Sequence, residues 1–99
     1  MDKFQEYKIN KSTSLRNEIA LENIGIAEII AKKYRGRGVD YDDLYQTACL
    51  ALLKAVERFD PDKGYVFSTF ASSTIIGEIK RYFRDKTWSV KVPRQIKEL

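Results

Sequence analysis

Apolar residues return along most of this chain at helical spacing, not strand spacing. Leu15, Ile19, Leu21, Ile24, Ile26, Ile29, Ile30 and Tyr34 predict a first long helix, with Thr13 and Ser14 as N-cap residues and Gly36 and Gly38 ending it. Asp40 is expected to cap a second helix whose first turn holds Asp42 and Asp43, where the helix dipole favours negative charge, and whose apolar pattern continues to Phe59. Asp60, Pro61, Asp62, Lys63 and Gly64 combine turn formers with a helix breaker and stop it. A third helix is expected from about Val66 to about Lys86. Val90 to Pro93 reads as extended, because the residue before a proline is pushed out of the helical region, and a short final helix begins near Pro93. The sequence shows no internal repeat and no low-complexity segment. The expected fold class is therefore all-α: a compact three-helix bundle over residues 14–86, behind a flexible segment at 1–13 and ahead of an extended stretch leading into a short helix at 87–99.

Laid out at about 100° per residue, the second helix gathers Leu44, Ala48, Leu52, Ala55, Val56 and Phe59 on one face, which is core. Nearly opposite lie Asp43, Gln46, Leu50, Leu53 and Glu57, a stripe that sets two leucines among polar groups. Either a partner helix docks there or the leucines pack against the first helix or an N-terminal segment; periodicity allows both. The third helix buries Ala71, Ile75, Ile76, Ile79, Tyr82 and Phe83 on one broad side. Its far side lines up Phe70, Ser73, Thr74, Gly77, Lys80, Arg81 and Arg84: an aromatic ring near one end, small residues in the middle and cations at the other.

Charge sharpens that last face. Residues 80–97 hold seven cations (Lys80, Arg81, Arg84, Lys86, Lys91, Arg94 and Lys97) against the single acid Asp85, while the whole chain carries only +4. Tyr65, Phe67 and Phe70 stand just upstream and Trp88 interrupts the basic run, so flat rings alternate with cations as single-stranded nucleic acid requires. Cations would neutralise phosphates, Ser73 and Thr74 offer hydrogen bonds, and Gly77 leaves room for a close backbone approach. Taken without the rings, the cations read better as a solvated basic face; the rings shift the balance to nucleic acid.

The remaining chemistry is sparse. Ninety-nine residues make one small domain, Cys49 is the only cysteine and there is no histidine, so neither an internal disulfide nor a zinc site is expected. Gly36-Arg37-Gly38 is too short for a phosphate loop, Asp40, Asp42 and Asp43 suit a helix N-terminus better than acid–base work, and Cys49 has no base to activate it. No enzyme activity and no cofactor are expected. The polar start Met1 to Tyr7 is no signal peptide, and no apolar run is long enough to span a bilayer, so a cytoplasmic protein without a membrane partner is expected.

Several ordered blocks then agree with one family. Ile30-Ala31-Lys32-Lys33-Tyr34, Arg37-Gly38, Asp42-Asp43-Leu44-Tyr45-Gln46, Leu52 through Pro61 and Gly64 through Ala71 together resemble region 2 of bacterial RNA polymerase sigma factors. Ile76 through Trp88, then Val90-Lys91-Val92-Pro93-Arg94, and Leu15-Arg16-Asn17-Glu18 are similar, more narrowly, to the sporulation and general-stress branch of alternative sigma factors. The resemblance spans about residues 15–99.

The resemblance implies a sigma region 2 domain at 14–86 and the start of region 3 at 87–99. It implies that the helix opening Asp42-Asp43-Leu44 binds the beta-prime coiled coil of core RNA polymerase through Asp43, Gln46, Leu50 and Leu53. It implies further that Phe59, Lys63, Tyr65, Phe67, Thr69 and Phe70 help open the promoter −10 element and capture flipped non-template bases, which need stacking faces and a basic floor. Ser73, Thr74, Gly77, Lys80, Arg81 and Arg84 would position the upstream edge of that element, Trp88 belongs to the same basic run, and Lys91, Arg94 and Gln95 would touch DNA just upstream, at the nucleoid. An anti-sigma factor is a further implied partner, with a target or decoy role as the alternative function. A duplex-reading helix-turn-helix regulator fits less well, because the linker before the third helix is acidic and contains proline. Housekeeping factors carry paired tryptophans where Ser73 and Thr74 stand, so melting should be weaker here, with Phe70 the first choice as wedge. Tyr45 replaces a more usual aliphatic residue, and Ala48 and Ala51 replace frequent glycines, neither threatening the fold. Full factors of this branch continue into regions 3 and 4, so the chain is expected to be a fragment or a short relative.

Overall fold

A computed structural model describes the backbone of residues 2–94 and the side chains of residues 2–85. Five α-helices follow one another: α1 (Lys3–Ile9), α2 (Thr13–Glu22), α3 (Ile24–Lys33), α4 (Tyr41–Arg58) and α5 (Phe67–Arg94), with a 3-10 turn at Pro61–Lys63. No strand occurs among the described residues.

Helix α4 is the axle. Leu44, Ala48, Ala51, Leu52, Ala55 and Val56 bury one face of it against α2, α3 and α5. In the same core, Ala71, Ile75 and Ile79 of α5 and Ile19 of α2 are also sealed from solvent. The alanines matter as much as the larger residues, since Ala48, Ala51, Ala55 and Ala71 let helix axes approach while the branched side chains fill the gaps between them. Asp40 caps α4 as expected, accepting from the Asp42 amide at 3.3 Å.

Four expectations are corrected. The first long helix is two helices, α2 and α3, because Asn23 leaves helical geometry at φ −114°, ψ 15° and its side-chain amide donates to the Ile19 carbonyl at 2.8 Å. An asparagine that satisfies the backbone this way competes with helix continuation, and the apolar rhythm on either side conceals the break. The cap of α2 is Ser12, whose hydroxyl accepts from the Leu15 amide at 3.0 Å, and Thr13 is the first helical residue.

The segment expected to be flexible, 1–13, contains α1. Asp2 caps it by accepting from the Gln5 amide at 2.9 Å, and Tyr7 is buried in the core. At the other end, the stretch read as extended, Val90 to Pro93, is part of α5, which runs 28 residues. The bias that a proline puts on the residue before it is a local preference, and the helix already propagated from Phe67 outweighs it here.

Candidate nucleic-acid and partner interface

The turn between α4 and α5 decides where the aromatic block goes. Asp60 accepts from the Asp62 amide at 3.0 Å, Pro61 opens the 3-10 turn, and Gly64 reverses the chain with φ 83°, the left-handed conformation that a Cβ disfavours. Tyr65 and Val66 are thereby set outward, 43 % and 64 % exposed, before Phe67 turns back into the core.

Behind them, Phe59 meets four rings. It touches Phe67 edge-on at 5.2 Å, Tyr65 at 5.6 Å, Phe70 at 5.7 Å and Phe4 of α1 at 5.2 Å. Tyr65 and Phe70 lie 5.6 Å apart with only 31° between their planes. The result is a two-ring platform, open on its outer side and backed by Phe59 and Phe67. Packed rings of this kind gain about 0.5–1.5 kcal/mol per pair beyond burial, so the platform is held before any ligand arrives. Phe67, expected among the contact residues, is 7 % exposed and supports the platform from below instead of offering a face.

Next to the rings, Lys63 and Thr69 are exposed, as are Ser73, Gly77, Lys80, Arg81 and Arg84 along α5. Nothing stands within 4 Å of the position a Cβ on Gly77 would take. Thr74 is half-buried and its hydroxyl donates to the Phe70 carbonyl at 3.0 Å, so it helps shape α5 below the platform. Arg84 lies 3.5 Å from Asp85, and Arg81 turns toward α4. Trp88, Lys91 and Arg94 fall on the last turns of α5 with side chains outside the described ones, and Gln95 lies outside the described residues.

The second surface lies along α4. Asp43 and Gln46 are exposed, Leu50 is 61 % exposed, and Leu53 is half-buried between two depressions. One, of about 460 Å³, is walled by Leu50, Leu53, Lys54, Glu57, Glu78 and Arg81; the other, of about 380 Å³ and mostly apolar, by Leu21, Ile24, Cys49, Leu52 and Leu53. Of the two readings of the leucine stripe, Leu50 follows the open one and Leu53 lies between them. Arg16 and Glu57 pair at 2.7 Å between α2 and α4, and Lys54 and Glu78 at 3.5 Å between α4 and α5. Tyr82 donates to the Asp43 carboxylate at 3.4 Å; partial burial and then that negative charge push its phenol above the usual range.

Cys49 is half-buried, and desolvation raises its thiol, against a smaller opposing hydrogen bond with Tyr45. That is the setting of an unreactive thiol. No group of side chains able to hold a metal ion occurs among the described residues, and no described helix is long and apolar enough to cross a membrane.

Sequence reasoning missed the contribution of α1. Phe4 lies under Phe59 and Phe67, while Lys8 and Gln5 reach Asp60 and Asp62 in the turn. The available signal was Asp2 as a cap followed by Phe4 and Tyr7 three apart, too short a pattern to stand out.

Fold and surface together define an all-α module that sets an aromatic platform beside a basic helix face. The family model for Sigma-70 region 2 matches residues 27–89, and the chain belongs to that family. It is 48 % identical over 84 residues to RNA polymerase sigma factor SigF of Mycobacterium tuberculosis, a match covering 85 % of this chain and 32 % of that protein. It is 43 % identical over 94 residues to the RNA polymerase sigma-B factor of Bacillus subtilis, covering 95 % of this chain and 36 % of the relative. With the sigma-G factor of Clostridium acetobutylicum it shares 34 % identity over 90 residues, covering 91 % and 35 %. The similarity is thus to alternative sigma factors of the sporulation and stress branch, and the chain spans about a third of the length of these relatives.

Proposed function

We propose that this chain acts as the region 2 module of an alternative sigma factor in transcription initiation, binding core RNA polymerase and engaging the promoter −10 element as an unpaired non-template strand. The observation that carries the reading is the pair of rings, Tyr65 and Phe70, 5.6 Å apart, backed by buried Phe67 and half-buried Phe59 and followed along α5 by a face of small and cationic residues. A base drawn out of the duplex costs a few kcal/mol of unstacking, and stacking on an aromatic side chain returns about 1–3 kcal/mol per base. Tyr65 and Phe70 take the bases; Lys63, Thr69, Ser73, Gly77, Lys80, Arg81 and Arg84 hold the strand, with Trp88, Lys91, Arg94 and Gln95 extending the path upstream. Phe59 and Phe67 act by holding the rings, and Phe70, half-buried against Tyr65, serves as the wedge in place of the tryptophans that housekeeping factors carry.

Polymerase is assigned to the α4 stripe, with Asp43, Gln46, Leu50 and Leu53 meeting the beta-prime coiled coil. Leu50 supports this, since it is 61 % exposed and walls the depression that also holds Leu53, an apolar pair open to a partner helix. The apolar groove continues past Leu53 to Leu21 and Ile24, which favours a second reading in which an anti-sigma factor covers the same leucines together with α2 and α3. The module itself performs no chemistry in either reading, and its site of action is the cytoplasmic nucleoid.

The test is binding of the 99-residue chain to a panel of short −10 non-template strands, with and without the beta-prime coiled coil. Sequence-dependent binding that is lost in Phe70→Ala with Tyr65→Ala, and kept in Gln46→Ala with Leu53→Ala, is the expected result. Equal binding to all strands, or tighter binding to duplex, overturns it.

A further inference from the structure

We propose that α1 is a clamp that holds the turn ahead of the aromatic platform in its binding shape, with Lys8 as the positioning residue; the consequence for DNA rests on the base-stacking reading above. Lys8 Nζ lies 2.9 Å from Asp60 Oδ1 and also bonds Asp62, so one ammonium joins both acids of the Asp60-Pro61-Asp62 turn. Gln5 adds a hydrogen bond from Nε2 to Asp62 Oδ1 at 3.0 Å. These contacts join residues more than fifty positions apart in the chain.

The clamp is anchored at its far side as well. The Phe4 ring lies 5.2 Å from Phe59 and 4.7 Å from Phe67, Tyr7 is buried, and Lys3 pairs with Glu18 and Glu22 of α2. A lever fixed to α2 and to the aromatic base therefore reaches over to grip the turn. What it grips is the one connection that decides where Tyr65 points, because Gly64 in its left-handed conformation joins that turn directly to the platform. Loosening Asp60 and Asp62 frees Gly64 to sample other conformations, and Tyr65 then arrives at the strand unplaced. Hydrogen bonds from Lys8 hold both carboxyls below the usual range, with the Asp62 amide helping Asp60 and Gln5 helping Asp62, as expected where the charged pair is the resting state.

Lys8 is exposed, so Lys8→Met leaves the core intact, and Lys11→Met removes an equal charge from the same segment without touching the turn, since Lys11 sits over the Tyr7 ring. The experiment compares these two and Lys8→Arg in the 99-residue chain, measuring affinity for a short −10 non-template strand and the rate of tryptic cleavage after Lys63. Lys8→Met is expected to speed cleavage and to weaken strand binding about threefold relative to Lys11→Met, the scale of a lost exposed ion-pair network, with Lys8→Arg behaving as the parent. If Lys8→Met and Lys11→Met match in both measurements, only net charge is at work and the clamp is overturned. If cleavage accelerates but the parent chain binds no strand, the clamp on the turn stands and the base-stacking reading falls.

Discussion

On the proposed reading, Gly77 serves folding and binding in opposite directions. It lies mid-helix on the exposed face of α5, with nothing near the place a Cβ would occupy, so it gains no packing from being glycine and costs about 0.5–1 kcal/mol of helix stability relative to alanine. Gly77→Ala should therefore raise the melting temperature, while the added methyl, set between Ser73 and Lys80, should weaken binding of a −10 non-template strand. Unchanged or tighter strand binding in the stabilised variant would show that no backbone approaches there. The Asp60–Lys8–Asp62 group makes a second residue-scale prediction, through pH. Both carboxyls are held low, so their contribution to stability is full above the ordinary carboxylate pKa of about 4 and is lost as pH falls through their native values. Lys8 is shifted up, so its contribution is full below the ordinary lysine value and disappears only as pH rises through its still higher native one. Urea unfolding followed from neutral pH down through 4 should show the loss, and Asp60→Asn with Asp62→Asn should flatten that limb, since asparagine retains the cap to the Asp62 amide but not the charge.

At the scale of elements, the proposal gives the two faces of α4 different tasks, and substitutions should separate them. Ile75→Ala in α5 opens a cavity against the buried face of α4 and should cost about 2–5 kcal/mol of unfolding free energy, because its side chain is sealed from solvent. Leu50→Asp, on the exposed stripe, should leave unfolding within about 0.5 kcal/mol of the parent and abolish capture by the beta-prime coiled coil. A Leu50→Asp chain that still binds the coiled coil would remove the stripe from the interface. The same contrast explains what the sequence disclosed. Strong amphipathic periodicity revealed α4 and the start of α5, with Leu44, Leu52, Ile75 and Ile79 in the core, because burial of one face imposes that rhythm. It did not disclose the break at Asn23, where a single side chain competes with the helix without disturbing the rhythm, nor α1, whose seven residues gain their order from Phe4 packing on distant rings and Tyr7 entering the core. For the site, the exposure of Lys80, Arg81 and Arg84 was legible from the helix face they share, whereas Tyr65 was singled out only with Phe67 and Phe70 as a ring near the basic run. The inward path of Phe67 and the grip of Lys8 on Asp60 depend on tertiary contact, which periodicity does not encode.

Across the whole molecule, the platform and the leucine stripe are separate surfaces on one rigid axle, so their binding should respond differently to salt. Strand binding joins stacking, which salt hardly affects, to phosphate neutralisation, which releases condensed counterions and weakens as salt rises. Lys63, in the turn before the platform, and Lys80, along α5, are exposed cations, and each that meets a phosphate should add about 0.7 to the slope of log affinity against log salt for a single strand. Lys80→Met should therefore reduce the slope by about that amount and weaken every strand in the panel alike. Phe70→Ala should do the reverse, leaving the slope intact while lowering affinity by the roughly 1–3 kcal/mol of one stacked base and narrowing the spread between good and poor −10 sequences. Coiled-coil binding, if it depends on Leu50 and Leu53, should keep its affinity in both variants. Were Lys80→Met to change which strand binds best, sequence choice would reside in the basic face of α5, and the rings would be only a platform for whichever base that face selects.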